Sequence, residues 1–212
     1  EQTRTEPAAL APRALSRLLS TYPQDNVRYV PTVDEEIDRV RAVTLDQVRT
    51  LYREYLGSGH GELVIVGDFE PYECIEVLKK TLAGWTAARP YARIARPATS
   101  QPPGSQQRIN TPDKANATYA AGLVISLQDD HPDYPALVMA NFILGGGTLS
   151  SRLGDRIRQK EGLSYGVSSN FSAAALDPRA NLSAQAICNP QNIEKVEKAA
   201  REEVERLVRD GV

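Results

Sequence analysis

Residues 143–167, ILGGGTLSSRLGDRIRQKEGLSYGV, limit the folds open to this chain more than any other stretch. Three consecutive glycines, Gly145, Gly146 and Gly147, sit poorly in an α-helix, because glycine loses the most backbone freedom on being fixed there. The apolar run before them is therefore expected to end at the triplet, a backbone hinge with at least one residue at positive φ. Thr148 or Ser150 can cap a second helix, and Leu149, Leu153 and Ile157 recur every four residues to give it one buried stripe. Gly162 supplies the left-handed residue expected just past a helix end. Leu163, Tyr165 and Val167 then alternate with Ser164, Gly166 and Ser168, the period of a strand. Arg158 thus falls near a helix C-terminus and Tyr165 early in a strand, with a turn between them.

The other elements read as α+β. A short helix after Pro12 would use Ala14, Leu15, Leu18 and Leu19. Thr32-x-x-Glu35 and Thr44-x-x-Gln47 are capping boxes opening two helices. The first turns Ile37 and Val40 inward, and the second Val48, Leu51, Tyr52 and Tyr55. Leu63–Val66 is a short apolar run rich in β-branched residues, expected as a strand covered on both faces. A helix from Pro71 carries Ile75, Leu78 and Leu82 inward, with Cys74 on its apolar face. Residues 90–104 hold four of the fourteen prolines and read as a linker. Ala117 to Leu127 alternate as a half-buried strand. Asp130 and Pro132 start the helix DYPALVMANFIL, apolar nearly all round and so expected to be buried. Ala180, Leu182, Ala184 and Ala186 make a strand that stops at Asn189-Pro190. The last helix, 191–209, faces inward through Ile193, Val196, Val204, Leu207 and Val208, leaving Glu202, Glu203 and Glu205 on a wet face. Strands and helices do not alternate as regular βαβ units, so an antiparallel sheet is expected.

The stretch LGGGTLSSRLGDRIRQKEGLSYGV resembles the M16 (pitrilysin/insulinase, mitochondrial processing peptidase) metallopeptidase family, in the half of the molecule that lacks the zinc motif. The likeness covers residues 44–212, with 1–43 as a helical lead-in from the preceding part of a longer chain. It implies the LuxS/MPP-like metallohydrolase fold, a mixed, largely antiparallel sheet with helices packed on one face. It also implies that Arg158 and Tyr165 form an Arg/Tyr pair reaching a neighbouring active site. Zinc would then be held by a zinc-bearing M16 domain, in the same polypeptide or in a separate subunit, with peptide as the substrate.

Bulk properties exclude little but consistently. A net charge of −2 offers no basic footprint for nucleic acid. No apolar run approaches the ~20 residues that cross a bilayer. The first residues, EQTRTEPAALAPRAL, lack an apolar signal core and read like the middle of a longer chain. Cys74 and Cys188 both fall on apolar faces, as small buried hydrophobes.

Inverted zinc-peptidase chemistry needs His-x-x-Glu-His on one helix and a distant carboxylate. The two histidines here, His60 and His131, lie in separate loops, and Asp130 is expected to cap a helix beside a solvated His131. The helix that would correspond to the zinc motif by resemblance, PDYPALVMANF, has neither histidine nor glutamate. No metal site and no catalytic residue are therefore expected on this chain alone. Nor is there a Gly-x-Ser-x-Gly elbow.

What remains is Arg158 and Tyr165. By chemistry alone, Arg158 suits a helix C-terminus and Tyr165 suits a core. The resemblance implies substrate-side roles: a phenol donor for the oxyanion on the scissile carbonyl, and a guanidinium fork for a substrate carbonyl or carboxylate. Three readings follow: the non-zinc half of a peptidase, a structural M16 homologue that serves as a binding module, or an unrelated α+β domain that carries the motif by accident.

Overall fold

The structure, a computed structural model, describes residues 4–98, 104–147 and 150–211. The expected cap at Thr148 and stripe position Leu149 lie outside the described residues. Two compact units are present: Glu1–Glu36 with Ala95–Val212, and Ile37–Ile94.

The first unit is built on a three-stranded sheet of β1 (Ala117–Ile125), β2 (Ser164–Ala173) and β3 (Ala180–Cys188), in the order β1-β3-β2. Both pairings are antiparallel, with Tyr119 and Val167 flanking Ala186. On that face the long helix α6 (Ile193–Asp210) buries Val196, Ala199 and Ala200 against Ala186 and Cys188. Burial pushes the Tyr119 phenol and the Cys188 thiol above their ordinary pKa values. Cys188 is a free thiol in this core, and Cys74 is free and only half-buried. Val208, expected on the inner side of α6, is 82% exposed, whereas Val204 and Leu207 of the same turns pack against the core.

Helix α1 (Pro7–Leu18) adds cover on the opposite face of β1. A Cβ on Gly122 would stand 2.8 Å from Leu182 O and 3.3 Å from Leu15 Cδ2, so glycine allows this close approach. The helix begins at Pro7, where a missing N–H costs nothing, and carries Pro12 inside it rather than starting after it. Arg17 ties it to the following loop by donating to Val30 O at 2.6 Å. At the start of α2 (Val33–Arg41), Glu35 N donates to Thr32 Oγ1 at 3.2 Å and Thr32 N to Glu35 Oε2 at 2.7 Å. That backbone donor holds the Glu35 carboxyl below its ordinary pKa. Ahead of β1, Arg96 N donates to Asp177 Oδ2 at 2.9 Å and Ala98 N to Pro178 O at 3.0 Å, anchoring this segment on the β2–β3 turn.

Helix α5 (Tyr134–Asn141) starts after Asp133, so Asp130 is not its cap. Contrary to expectation, none of its residues is fully buried, and Met139 and the following Phe142 point outward. A three-stranded sheet covers only one side of it. The helix widens into a π-helical turn, Phe142–Gly146, closed by Gly147 N donating to Phe142 O at 2.8 Å. The glycine triplet thus departs from expectation. Gly145, Gly146 and Gly147 are absent from the positive-φ residues, and Gly147 has φ −92° and ψ 49°. What requires glycine here is space. A Cβ on Gly145 would lie 2.6 Å from Ser169 N and 2.9 Å from Leu153 Cδ1. Gly145→Ala is therefore expected to destabilise the fold by about 1–3 kcal/mol, as overpacking does. Gly166→Ala, whose Cβ would meet nothing within 4 Å, is the control. Denaturant melts of both variants check this, and a Gly145→Ala midpoint equal to the parent's rules out the close-packing account.

In the second unit, α3 (Leu45–Tyr55) carries its complete capping box, with Gln47 N donating to Thr44 Oγ1 at 3.2 Å. Tyr52 stacks on Trp85 at 5.8 Å between ring centroids, after α4 (Pro71–Leu82). The apolar faces expected inward are instead exposed: Val40, Val48, Leu51, Tyr52, Tyr55 and Ile75. Leu63–Val66 also departs from expectation. These residues form no strand and no backbone hydrogen bond among the described residues. A strand exists only by pairing, and among the described residues no partner strand adjoins this one.

Candidate functional site

The segment after the glycines is wound more widely than an α-helix. Gly154–Lys160 is π-helical, with Glu161 N donating five residues back to Arg156 O at 3.0 Å. Leu163 N then donates to Ile157 O at 2.8 Å, and Gly162 makes the turn at φ +60°. Leu153 and Ile157 are fully buried beneath it, each side chain contributing roughly 1.5–3 kcal/mol. Single π turns recur where a helix must aim side chains at a site.

Three arginines follow on this segment, and two are paired. Arg156 donates through Nε to Glu161 Oε1 at 2.9 Å and through Nη1 to Glu203 Oε1 at 3.2 Å, and its Nη2 bonds Glu202. Arg152 donates through Nε to Glu203 Oε2 at 3.2 Å and through Nη1 to Gly211 O at 3.1 Å. Glu203 is therefore not on a wet face. It is 3% exposed, with both carboxylate oxygens taken by guanidinium groups. Its burial depends on arginines some fifty positions away, which no helical period reveals. The bonds from Glu161 and Glu202 push the Arg156 pKa still higher, and Arg156 holds the Glu202 carboxyl below its ordinary value. Arg158 is the exception. Its side chain is exposed and makes no ion pair or hydrogen bond among the described residues.

Tyr165 owes its position to a β-bulge. Ser164 pairs with Cys188 and Gly166 with Ile187, so Tyr165 is an extra residue with no partner on β3. Such a bulge bends the strand and re-aims the side chain. Buried Ser164 stabilises it: its Oγ donates to Ile187 O at 2.7 Å and accepts from Gly166 N at 3.2 Å. The alternation that would place Tyr165 beside Leu163 and Val167 is broken here. Leu163 is buried and Tyr165 is 69% exposed, so it is not a core residue. No hydrogen bond joins Tyr165 to Arg158 among the described residues.

Among the described residues no three His, Cys, Asp or Glu side chains gather to hold a metal. His60 stacks on Tyr91 at 3.8 Å, and His131 Nδ1 accepts from Asp133 N at 3.1 Å. The described residues bring together no donor set that fits a zinc ion. No helix of the described residues is long and apolar enough to cross a membrane.

The family profile described as the peptidase M16 inactive domain matches residues 42–212. The chain belongs to this family. As an M16 inactive domain, it is similar to an uncharacterized zinc protease of Streptomyces coelicolor, 26% identical over 184 residues that make up 83% of this chain and 38% of that protein. Among solved structures it is similar to a peptidase M16 inactive domain from Pseudomonas fluorescens, with TM-score 0.76 and 22% identity, covering 97% of this chain and 48% of that one. A protease from Helicobacter pylori aligns with TM-score 0.71 and 18% identity over 100% of this chain and 50% of that one. These likenesses establish the α+β fold with its antiparallel sheet. The M16 inactive domain described here spans half or less of the length of each of these proteins.

Proposed function

We propose that this M16 inactive domain completes the active site of a zinc-bearing M16 half by presenting Arg158 and Tyr165 to bound peptide. The observation that supports it is selective exposure. Arg152 and Arg156 are spent on Glu202, Glu203 and Glu161, whereas the Arg158 side chain has no partner among the described residues and a bulge turns Tyr165 out of the sheet. A guanidinium without an internal carboxylate offers its donor fork to a substrate carbonyl or carboxylate. A phenol with no internal acceptor can donate to the oxyanion that develops on the scissile carbonyl. Zinc, which activates the attacking water in peptidases of this class, belongs to the other half.

The reading requires that the chain be inert by itself. Purified alone, it is expected to retain no stoichiometric zinc after dialysis and to cleave no fluorogenic peptide. The full-length protein is expected to cleave peptide in a chelator-sensitive way. One tightly held zinc with cleavage by the isolated chain would overturn this division of labour. A full-length protein that carries zinc yet cleaves nothing would leave a structural role.

A further inference from the structure

The unit Ile37–Ile94 contains no fully buried residue. Its two amphipathic helices expose Leu51 and Tyr55 on α3 and Ile75 on α4. Between them Leu63–Val66 runs without strand partners, with Val64 82% and Val66 92% exposed. The indole N–H of Trp85 is enclosed without an acceptor among the described residues. A segment that buries so little apolar surface cannot offset the entropy of ordering its own chain. An apolar edge left open in this way is normally covered.

What covers it can be argued from length. The family profile runs through this unit, and the solved structures align with 97% and 100% of the chain, unit included. Those chains are nevertheless about twice as long, this chain covering 48% and 50% of them. The chemistry of the run is also specific. Leu63 and Ile65 fall on one side of an extended chain, Val64 and Val66 on the other, so both faces need cover. That is the requirement of an interior strand with a layer on each side. One strand from a second copy would satisfy the backbone and leave the faces bare.

We propose that Leu63–Val66 is a strand of a second sheet whose other strands come from the part of the M16 protein outside this chain. The helices α3 and α4 then pack their apolar faces on that sheet. Naming that part the zinc-bearing half rests on the reading above; the surface itself does not depend on Arg158 or Tyr165.

Hydrogen exchange of the isolated chain and of the full-length protein tests this. The amides of residues 64–66 are expected to exchange freely in the chain and to slow by on the order of 100-fold or more in the full-length protein. Ile65→Pro, made in the full-length protein, removes a ladder donor and should abolish that protection. Should that variant fail to fold, Val64→Thr keeps the branched shape, loses apolar surface and should reduce protection at its neighbours. Equal exchange in the chain and the full-length protein overturns the proposal. So does protection in the isolated chain that grows with its concentration, the mark of a second copy. Protected amides combined with a Tyr165→Phe variant of normal turnover would remove only the Arg/Tyr reading. Free exchange with impaired Tyr165→Phe turnover would remove only the second sheet.

Discussion

Tyr165→Phe in the full-length protein is expected to lower kcat about 10²–10³-fold, the usual cost of losing one oxyanion donor. It should leave the melting temperature unchanged. The phenol oxygen is the only atom removed, it has no internal partner among the described residues, and the ring is largely in solvent. Arg158→Ala is expected to act mainly on KM, because a grip on a substrate carbonyl or carboxylate is the same in ground and transition states. Kinetics and thermal melts on the same preparations separate this from a packing role. A lowered melting temperature with normal turnover would remove Tyr165 from the site. The bulge gives the experiment its clarity, since a tyrosine held in the sheet face would have confounded both readouts.

The second large effect is expected at Glu203. Truncation to alanine leaves Arg152 and Arg156 facing an apolar hole where a carboxylate had bonded both. Breaking a buried ion pair from one side costs about 3–5 kcal/mol. The lower end applies here, since Arg152 and Arg156 keep some solvent contact and Arg156 retains Glu202 and Glu161. Glu203→Gln keeps the shape and one acceptor, and should fall between parent and Glu203→Ala. Urea unfolding of the three proteins checks the order, and a Glu203→Ala loss under about 0.5 kcal/mol, the level of an ordinary surface change, would refute the network's importance. Acid should weaken the same network. The Glu202 carboxyl is held below its ordinary value of 4.5 in the fold, so its contribution is complete above that pH. It is lost as pH falls through the depressed folded value.

Local chemistry in this chain was legible wherever a few neighbouring residues decide the outcome. The capping boxes at Thr32 and Thr44 and the left-handed Gly162 each satisfy backbone groups within one turn of themselves. The alternation of Ala180 to Cys188 yields β3, with Ala180, Ala186 and Cys188 buried. Resemblance in one long stretch carried the family as well, and with it the attention to Arg158 and Tyr165. Their circumstances came from elsewhere. Whether Arg158 is free depends on Glu202 and Glu203 claiming the other guanidiniums from α6. Whether Tyr165 faces solvent depends on a register shift against β3. The π winding of Gly154–Lys160, which carries the buried Ile157 and follows the buried Leu153, has no composition of its own. Gly145 is required by Ser169, a residue of another element, and not by its own φ. Leu63–Val66 shows the rule from the other side, with strand propensity in full and no strand, because pairing is a property of two segments. Periodicity and caps are encoded within about one turn of chain, so the sequence alone determined most of the elements and the family. Burial of a charge, the aim of a bulge and the pairing of an edge are set by residues distant in sequence, and only the tertiary structure could decide them.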